Sequence, residues 1–178
     1  MAFERIGGHT AWEGRIGRVR IETFRFEDGE ETEREIVEHP GSVAVVAHDG
    51  ERVFLVRQPR EPVGEPALLE LPAGKLDEEG EEPLDAARRE LAEEIGKQAA
   101  EWESLGSFFT SPGFTDEQVH LFLATGISDV DERPAVEHDE RIDVEVRPVG
   151  ELDAILSETT DSKTLIGLYR LKDRLAGR

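Results

Sequence analysis

The chain has 178 residues, the size of one domain or of a domain with a small appendage, and it is long enough to bury a hydrophobic core. Its 41 acidic and 21 basic residues give a formal net charge of −20, which argues against a protein that binds nucleic acid or anionic membranes. It contains no cysteine, so disulfides, thiolate metal sites and a cysteine nucleophile are excluded. The N-terminus lacks the apolar core of a signal peptide and no apolar run is long enough to cross a membrane, so we expect a cytoplasmic protein.

The first forty residues carry strand signals but few core residues. Polar and apolar residues nearly alternate over 15–26, a polar turn follows in the sequence FEDGEE, and 32–39 is predicted to return as a second strand. We expect residues 1–40 to form a small β region that packs against the rest of the chain or against a partner chain. Residues 41–178 are expected to form the main domain.

A β-hairpin is the clearest element of the main domain. Two apolar, β-branched runs within 42–58 flank Asp49-Gly50, a pair that accepts the backbone angles of a tight turn. A further strand is predicted over 67–74. The later elements are predicted to be strands at 119–124 and 142–149 and helices near 149–157 and 162–175. This pattern indicates an α+β protein or an α/β sandwich with a mixed sheet.

A central helix is predicted between Pro83, whose missing N–H costs little near a helix start, and Gly96, which is placed to end it. Its apolar residues recur at intervals of three and four and form one stripe, namely Leu84, Ala87, Leu91 and Ile95. Arg89 lies one turn from both Asp85 and Glu93 and is expected to stabilise the helix by pairing with these acids.

Two glutamates of this helix, Glu90 and Glu94, lie one turn apart at the edge of the apolar stripe. Like charges at this spacing destabilise an isolated helix, whereas a divalent cation bound between them reverses that effect. Mg²⁺ prefers such hard oxygen ligands, and Glu93 is placed to add a third ligand or to activate water. The glycine after Ala73 lets the backbone bend and expose the Ala73 carbonyl to the same ion. The alternative is an acidic helix face in water, because nearly a quarter of all residues are acidic.

The segment from Gly74 to Gly96 resembles the Nudix box, G-x5-E-x7-R-E-U-x-E-E-x-G-U, in which U is a bulky aliphatic residue. Glu81 is followed by seven residues and then by RELAEEIG without a gap. Two positions depart from the pattern. Six residues rather than five separate Gly74 from Glu81, and Lys97 stands where an aliphatic residue is expected. The extra residue falls in the loop before the helix, where an insertion costs little.

The resemblance extends over residues 10–172 to the ADP-ribose pyrophosphatase branch of the Nudix family. It is carried by EIVEHPGSVAVVA, FLVRQPREPVG, LELPAGKLDEEGE and TSPGFTDEQVHLFLATG, and by Pro112, which lies 16 residues after Gly96 as the proline of that branch does. It implies an α/β/α sandwich with a mixed sheet plus a small N-terminal antiparallel sheet. The implied activity is hydrolysis of ADP-ribose to AMP and ribose 5-phosphate.

The resemblance also implies metal ligands and catalytic residues. The implied ligands of Mg²⁺, or of Mn²⁺, are Ala73 through its carbonyl, Glu90, Glu93 and Glu94. Glu81 is a further ligand or holds Arg89 by a salt bridge. The ions neutralise the diphosphate and activate a water molecule that attacks one phosphorus. Glu140 matches a late-loop glutamate that stands near this water, while Glu137, Asp139 and an ordinary surface acid remain open.

Substrate contacts are implied at Arg15, Ile16, Arg34, Glu35, Arg60 and Glu117. Arg60 matches an arginine on the diphosphate, whose fork suits phosphate oxygens, and Glu117 matches an acid near the ribose or the metal. The other four match adenosine-binding residues, which family homodimers exchange between subunits with their N-terminal sheets. Surface charges and strand-face positions are the alternative roles for these residues.

Three functions are compatible with these features. The leading hypothesis is a Mg²⁺-dependent ADP-ribose or ADP-sugar diphosphatase. The second is a Nudix hydrolase of another nucleoside diphosphate sugar, such as GDP-mannose, or of a related dinucleotide, because the box handles the shared diphosphate. The third is a catalytically silent sensor of nucleotide sugars, against which the intact set of Glu90, Glu93 and Glu94 argues.

Overall fold

The computed structural model describes residues 2–14, 17–134 and 141–177. The chain divides into two compact units, the first formed by Met1–Gly41 with Phe108–Gln118 and the second by Ser42–Ser107 with Val119–Arg178. Within the described ranges, no helix is long and apolar enough to span a lipid bilayer.

The first unit is built on a three-stranded antiparallel sheet of order β1-β2-β3, with β1 at Phe3–Glu13, β2 at Arg18–Phe26 and β3 at Glu31–Glu38. The two predicted strands are confirmed. Strand β1 was not predicted, because every residue in it is exposed and its sequence lacks an apolar alternation. Glu22 of the central strand is buried and forms ion pairs with Arg5 at 3.0 Å and with Arg20 at 2.7 Å.

A segment that is distant in sequence completes the first unit. The backbone N–H of Val37 in β3 donates to the carbonyl of Phe114 at 2.7 Å, and the N–H of Asp116 donates to the carbonyl of Val37 at 3.4 Å. The N–H of His39 donates to Oδ1 of Asp116 at 2.8 Å. These bonds attach the TSPGFTDE stretch to the N-terminal sheet.

A seven-stranded mixed sheet forms the centre of the second unit, with a main path of order β10-β5-β4-β9-β8. Its strands are β4 Ser42–His48, β5 Arg52–Arg60, β6 Glu65–Glu70, β7 Ala73–Lys75, β8 Lys97–Phe109, β9 Gln118–Asp129 and β10 Asp143–Pro148. Strand β4 runs parallel to β9, whereas β5 pairs antiparallel with β4, β6 and β10, and β7 pairs antiparallel with β4.

The predicted hairpin is confirmed, and its turn is closed by the N–H of Asp49, which donates to the carbonyl of Arg52 at 3.1 Å. The prediction of one continuous strand over 67–74 was wrong. The chain bends at Leu71-Pro72, so β6 pairs with β5 and β7 pairs with β4. Proline has no N–H to donate to a ladder, which explains the break at this position. Strand β8 was not predicted, because most of its residues are exposed.

Helices cover both faces of this sheet. They are α1 Pro83–Ile95, α2 Leu152–Glu158, which follows a 3-10 turn at Val149–Glu151, and α3 Ser162–Leu175. The side chains of Val43 and Val45 in β4 pack on one face with the apolar stripe of α1. On the other face, Gly167 of α3 lies against Val46. Alternate residues of one strand therefore serve both layers, and the predicted α/β/α sandwich is confirmed.

Helix α1 begins and ends as predicted. Pro83 occupies the first turn, and the N–H of Gly96 donates to the carbonyl of Ala92 at 3.0 Å. Gly96 has a φ of +65°, a left-handed conformation that favours glycine. The local signals of this segment therefore determine both ends of the helix that carries the acidic residues.

Candidate active site

Helix α1 and strand β7 together position two buried carboxylates. Glu90 and Glu94 are 8% and 2% exposed, deeper than the position at the rim of the core that the sequence suggests. The N–H of Ala73 donates to Oε2 of Glu94 at 3.0 Å. Gly74 lies directly against Glu90, because a Cβ added to Gly74 would be 1.9 Å from Oε1 of that glutamate. A glycine is thus required for this approach of strand and carboxylate.

Arg89 connects three acidic side chains at this site. It donates to both carboxylate oxygens of Glu81 at 3.1 and 3.0 Å, to Oε1 of Glu90 at 2.7 Å and to Oε2 of Glu93 at 3.1 Å. The hydrogen bonds with Glu81 are the main reason that the pKa of the Arg89 guanidinium is raised, although burial opposes the shift. The arginine therefore compensates the carboxylates of the box while holding them in fixed orientations.

The expected contact between Arg89 and Asp85 is not made, since Asp85 pairs with Arg88 at 2.9 Å instead. The guanidinium of Arg89 turns towards Glu81, which is eight residues earlier in the chain. Helical spacing therefore identified Glu93 correctly and Asp85 wrongly, because an acid outside the helix supplies two charge-assisted hydrogen bonds to Arg89.

Both departures from the box pattern are accommodated. The longer loop before α1 contains a turn in which the N–H of Glu81 donates to the carbonyl of Glu78 at 3.2 Å, and Glu81 still reaches Arg89. Lys97 places its ammonium 5.5 Å from the centroid of the Phe54 ring, where a cation–π attraction replaces the aliphatic packing of the pattern. The acidic edge of the helix is unchanged by either departure.

Arg60, at the end of β5, is bound on one edge by a fully buried acid. Its Nε donates to Oε1 of Glu70 at 2.6 Å and its Nη2 donates to Oε2 at 2.8 Å. These hydrogen bonds raise the pKa of Arg60 against the effect of burial, and the negative charges of Asp161 and Glu94 add to the shift. The charge of Glu94 therefore acts on Arg60, which connects this arginine to the acidic helix.

The donor chemistry fits a divalent cation. Among the described residues, no three histidine or acidic side chains already form a group that could hold an ion. Mg²⁺, however, is usually bound through one or two carboxylates, with water and substrate phosphates supplying the remaining ligands. Glu90 and Glu94 are such a pair, and the carboxylate of Glu90 occupies the space that a Cβ on Gly74 would fill. Divalent-metal dependence is the rule for proteins that carry this box.

The described residues predicted to contact the nucleoside or ribose lie in the first unit. Arg34 donates to the carbonyl of Glu33 at 2.9 Å and also to the hydroxyl of Thr32. Arg34 also lines a cavity of about 430 Å³, most of whose remaining wall is apolar, formed by Phe3, Phe24, Phe26, Ile36, Phe109, Pro112 and Phe114. Glu35 is exposed, and Glu117 accepts a hydrogen bond from Thr110 at 2.8 Å.

Three predicted positions, Arg15, Ile16 and Glu140, lie outside the described residues, as do the alternatives Glu137 and Asp139. Their proposed roles therefore continue to rest on the sequence alone. The second-unit positions that are predicted to bind the metal or the diphosphate are all among the described residues.

A polar group beside Arg60 was missed by the sequence analysis. It comprises Glu70, Asp161, Lys163 and Thr164, of which Glu70 and Thr164 are fully buried. An aspartate three residues before a threonine at the start of a helical pattern is a capping signal, so Asp161 was within reach of sequence reasoning. Nothing local indicates that this helix start meets Glu70, which lies some ninety residues earlier.

Comparison with known proteins agrees with this geometry. A family profile described as NUDIX domain matches residues 38–167. A Bacillus methanolicus protein named methanol dehydrogenase activator is 40% identical over 162 residues, which cover 89% of this chain and 86% of that protein. The ADP-ribose pyrophosphatase of Bacillus subtilis is 40% identical over 170 residues, which cover 94% and 91%. A solved structure of an ADP compounds hydrolase shares 20% identity and a TM-score of 0.86 over 99% of this chain and 96% of that one, which supports the fold alone. This chain therefore belongs to the NUDIX domain family.

Proposed function

We propose that this protein hydrolyses the diphosphate bond of ADP-ribose, consuming one water molecule and releasing AMP and ribose 5-phosphate. The observation that carries the proposal is the buried pair Glu90 and Glu94 on one edge of α1, with the missing side chain of Gly74 leaving room for the carboxylate of Glu90. The choice of substrate is supported by the Bacillus subtilis relative, which is named an ADP-ribose pyrophosphatase and matches nearly the whole chain.

A divalent cation, Mg²⁺ or alternatively Mn²⁺, is proposed to be held by Glu90, Glu94, Glu93 and the carbonyl of Ala73. When bound, such an ion supplies charge neutralisation at the diphosphate and activation of water. The side chain of Arg89, held from the other direction by Glu81, keeps the carboxylates of Glu90 and Glu93 in place and compensates their charge.

The diphosphate is proposed to bind Arg60, because a planar guanidinium presents paired donors to phosphate oxygens. Glu140 is proposed to accept a proton from the attacking water, since a carboxylate within hydrogen-bond reach of a water molecule is a suitable general base. Glu117 is proposed to act near the ribose or the metal. Replacing Glu140 with Gln should lower kcat far more than it changes KM, and the same loss in Glu137→Gln instead would assign this role to Glu137.

The adenosine is proposed to be recognised by residues of the N-terminal sheet, namely Arg15, Ile16, Arg34 and Glu35. The protein is proposed to be a homodimer in which residues 1–40 are exchanged between subunits and residues 41–178 form the Nudix domain. Phe3, Phe109 and Phe114 are each more than half exposed, which fits a surface covered by a second copy. Light scattering should give twice the 19.9 kDa mass of one chain, and a monomeric mass would contradict this assembly.

Two other functions remain as alternatives. A different nucleoside diphosphate sugar, such as GDP-mannose, would use the same buried carboxylates, because these residues act on the shared diphosphate. A sensor that binds a nucleotide sugar without hydrolysing it would not need the buried pair Glu90 and Glu94, nor a glycine that makes room for the carboxylate of Glu90.

The test is a coupled phosphate-release assay. Added phosphatase frees phosphate from the monoester products and not from the intact diphosphate. ADP-ribose, ADP-glucose, GDP-mannose, NADH and diadenosine polyphosphates are compared with Mg²⁺, Mn²⁺ or EDTA, at low and at high salt. Metal-dependent release that is strongest for ADP-ribose is expected. A stronger signal with GDP-mannose would favour the second function, and no release by the folded, metal-loaded protein would favour the sensor.

A further inference from the structure

Glu70, the last residue of β6, is a carboxylate with no solvent exposure that is contacted by two cationic side chains. Arg60 donates hydrogen bonds to both of its oxygens, from Nε at 2.6 Å and from Nη2 at 2.8 Å. The ammonium of Lys163 lies 3.6 Å from Oε2 of Glu70 and 2.7 Å from Oδ1 of Asp161. A buried charge is retained only when it is paired and hydrogen-bonded, and this arrangement meets that condition.

The start of helix α3 anchors this group to the strand connection that leads into β7. Asp161 accepts hydrogen bonds from the N–H of Thr164 at 2.8 Å and from its hydroxyl at 2.7 Å. The same hydroxyl accepts a hydrogen bond from the N–H of Leu71 at 2.8 Å. Burial by itself raises the pKa of Asp161, but the charge of Lys163 and the hydrogen bonds from Lys163 and Thr164 hold it below its usual range. Thr164 therefore links the charged group to the backbone at Leu71, and this group is called the support below.

This support is continuous with the acidic helix. Leu71 is bound by Thr164, and Ala73, two residues later, donates its N–H to Oε2 of Glu94 at 3.0 Å. Between them, the carbonyl of Pro72 accepts a hydrogen bond from Val45 at 2.9 Å. The three-residue connection is thus held by α3, by the central strand and by α1. Glu70 directly precedes this connection, so the hydrogen bonds that fix Leu71, Pro72 and Ala73 also restrict the position of the Glu70 carboxylate.

The way Glu70 holds Arg60 leaves one side of the guanidinium for a ligand. Within the described part of the chain, Arg60 donates only to Glu70, through Nε and Nη2. The side chain of Arg60 is 39% exposed whereas that of Glu70 is 0% exposed, so the arginine extends towards solvent from the buried carboxylate that binds it. We call this pair of hydrogen bonds from Arg60 to Glu70 the clamp. The Nη1 edge lies opposite the clamp, and its donors match the oxygens of a diphosphate.

We propose that Glu70 is a positioning residue for substrate binding: it holds the guanidinium of Arg60 in one orientation, with the Nη1 edge presented to the diphosphate, while Lys163 keeps the buried carboxylate compensated. This inference rests on the proposed diphosphatase function and on the role of Arg60 within it. Immobilising the arginine before the substrate arrives removes an ordering cost from binding. Lys163 acts in the same direction, because its ammonium lies 3.6 Å from Oε2 of Glu70 and is itself held by Asp161 at 2.7 Å.

The experiment compares Glu70→Gln with the wild-type protein by steady-state kinetics on ADP-ribose. We expect KM to rise by about five- to ten-fold, as a freely moving arginine must be ordered on binding, with a smaller change in kcat. The matched control is Glu145→Gln, which removes a carboxylate bound by two arginines, Arg57 and Arg147. That variant should lose stability without a change in KM. A wild-type KM in folded Glu70→Gln would overturn the proposal and leave Glu70 as a structural ion pair.

A double-mutant cycle separates positioning from an independent effect. If Glu70 acts through Arg60, the KM of Arg60→Ala/Glu70→Gln equals that of Arg60→Ala alone, because the clamp has nothing left to hold. Additive effects of the two changes would overturn the proposal. Should Glu70→Gln fail to fold, Glu70→Asp replaces it, since this variant keeps the buried charge but is too short to reach both nitrogens. A KM raised in Glu70→Asp supports the proposal, and an unchanged KM overturns it.

A binding measurement distinguishes failure of this inference from failure of the proposed function. Imidodiphosphate, a diphosphate that resists hydrolysis, is titrated into the protein in EDTA and followed by calorimetry. If the wild-type protein hydrolyses no nucleotide sugar yet binds imidodiphosphate more tightly than Glu70→Gln, the positioning role stands and the function is wrong. If the wild-type protein hydrolyses ADP-ribose and both proteins bind the probe equally, the function stands and the positioning role is wrong.

Discussion

Replacing Gly74 with Ala tests the geometry of the site with the addition of one methyl group. The new Cβ would lie 1.9 Å from Oε1 and 2.0 Å from the carboxyl carbon of Glu90, where ordinary van der Waals contact begins at 3.4 Å. The atoms that must yield belong to the end of a flexible side chain and not to the backbone. The carboxylate therefore has to move by roughly 1.5 Å, a displacement that can cost on the order of 100-fold in rate.

The cost to stability should be small by comparison. The displaced Glu90 loses its hydrogen bond from Arg89, and a bond of this charge-assisted kind contributes about 1.5–3 kcal/mol at most. We expect Gly74→Ala to fold, to bind Mg²⁺ much more weakly by calorimetry and to lose about two orders of magnitude in kcat. Gly150→Ala is the control, because nothing lies within 4 Å of a Cβ at that position.

The outcome that refutes this reasoning is a folded Gly74→Ala protein with wild-type kcat and wild-type Mg²⁺ affinity. Such a result would mean that the position of the Glu90 carboxylate is irrelevant to metal binding. A large loss of thermal stability would instead show that the fold requires a glycine at position 74 for its backbone conformation. Far-UV circular dichroism and a thermal melt of both variants separate these cases.

Three further predictions concern single side chains. Glu94→Gln should lower kcat by orders of magnitude with an unchanged circular dichroism spectrum, since it removes one of the proposed anionic ligands; an unchanged kcat would contradict the metal assignment. Asp161 has its pKa held below the usual value, so its contribution to stability is present above about pH 4 and disappears as the pH falls through the folded-state pKa. The difference in unfolding free energy between wild type and Asp161→Asn, measured by urea denaturation, should therefore shrink below about pH 4, and a difference that stays constant would argue against ionised Asp161. The buried Nε2 of Gln58 has no hydrogen-bond partner within the described residues, so Gln58→Met should raise the stability by about 1–3 kcal/mol, and a lower melting temperature would show that the amide is paired in solution.

The sequence predicted α1 in detail because the relevant physics is local. The three- and four-residue spacing of Leu84, Leu91 and their neighbours defines a buried stripe, and Pro83 and Gly96 satisfy the backbone requirements of the two helix ends. The hairpin of β4 and β5 was predictable for the same reason, since its turn residues and apolar runs are adjacent in the chain.

The contacts that orient the site depend on residues far apart in sequence. After the break at Leu71-Pro72 the chain changes its pairing partner, so that β6 pairs with β5 and β7 pairs with β4. The hydrophobic pattern of the sequence does not indicate which strand each half will join. The pairing of Arg89 with Glu81, which the family resemblance implied as one of two roles but helical spacing did not, depends on the course of a loop. Strands β1 and β8 escaped prediction because their residues are mostly exposed, so they lack the alternation that burial of one face imposes.

The sequence by itself therefore determined the family pattern, the acidic helix and the order of most elements, because local propensity and one-face burial leave a periodic trace along the chain. Only the tertiary structure decided that Glu70 holds Arg60, that Lys163 and Asp161 support this pair, and that Gly74 stands against Glu90. Folding brings these groups together from separate elements, and a charge becomes dependent on a particular partner only once it has been removed from water.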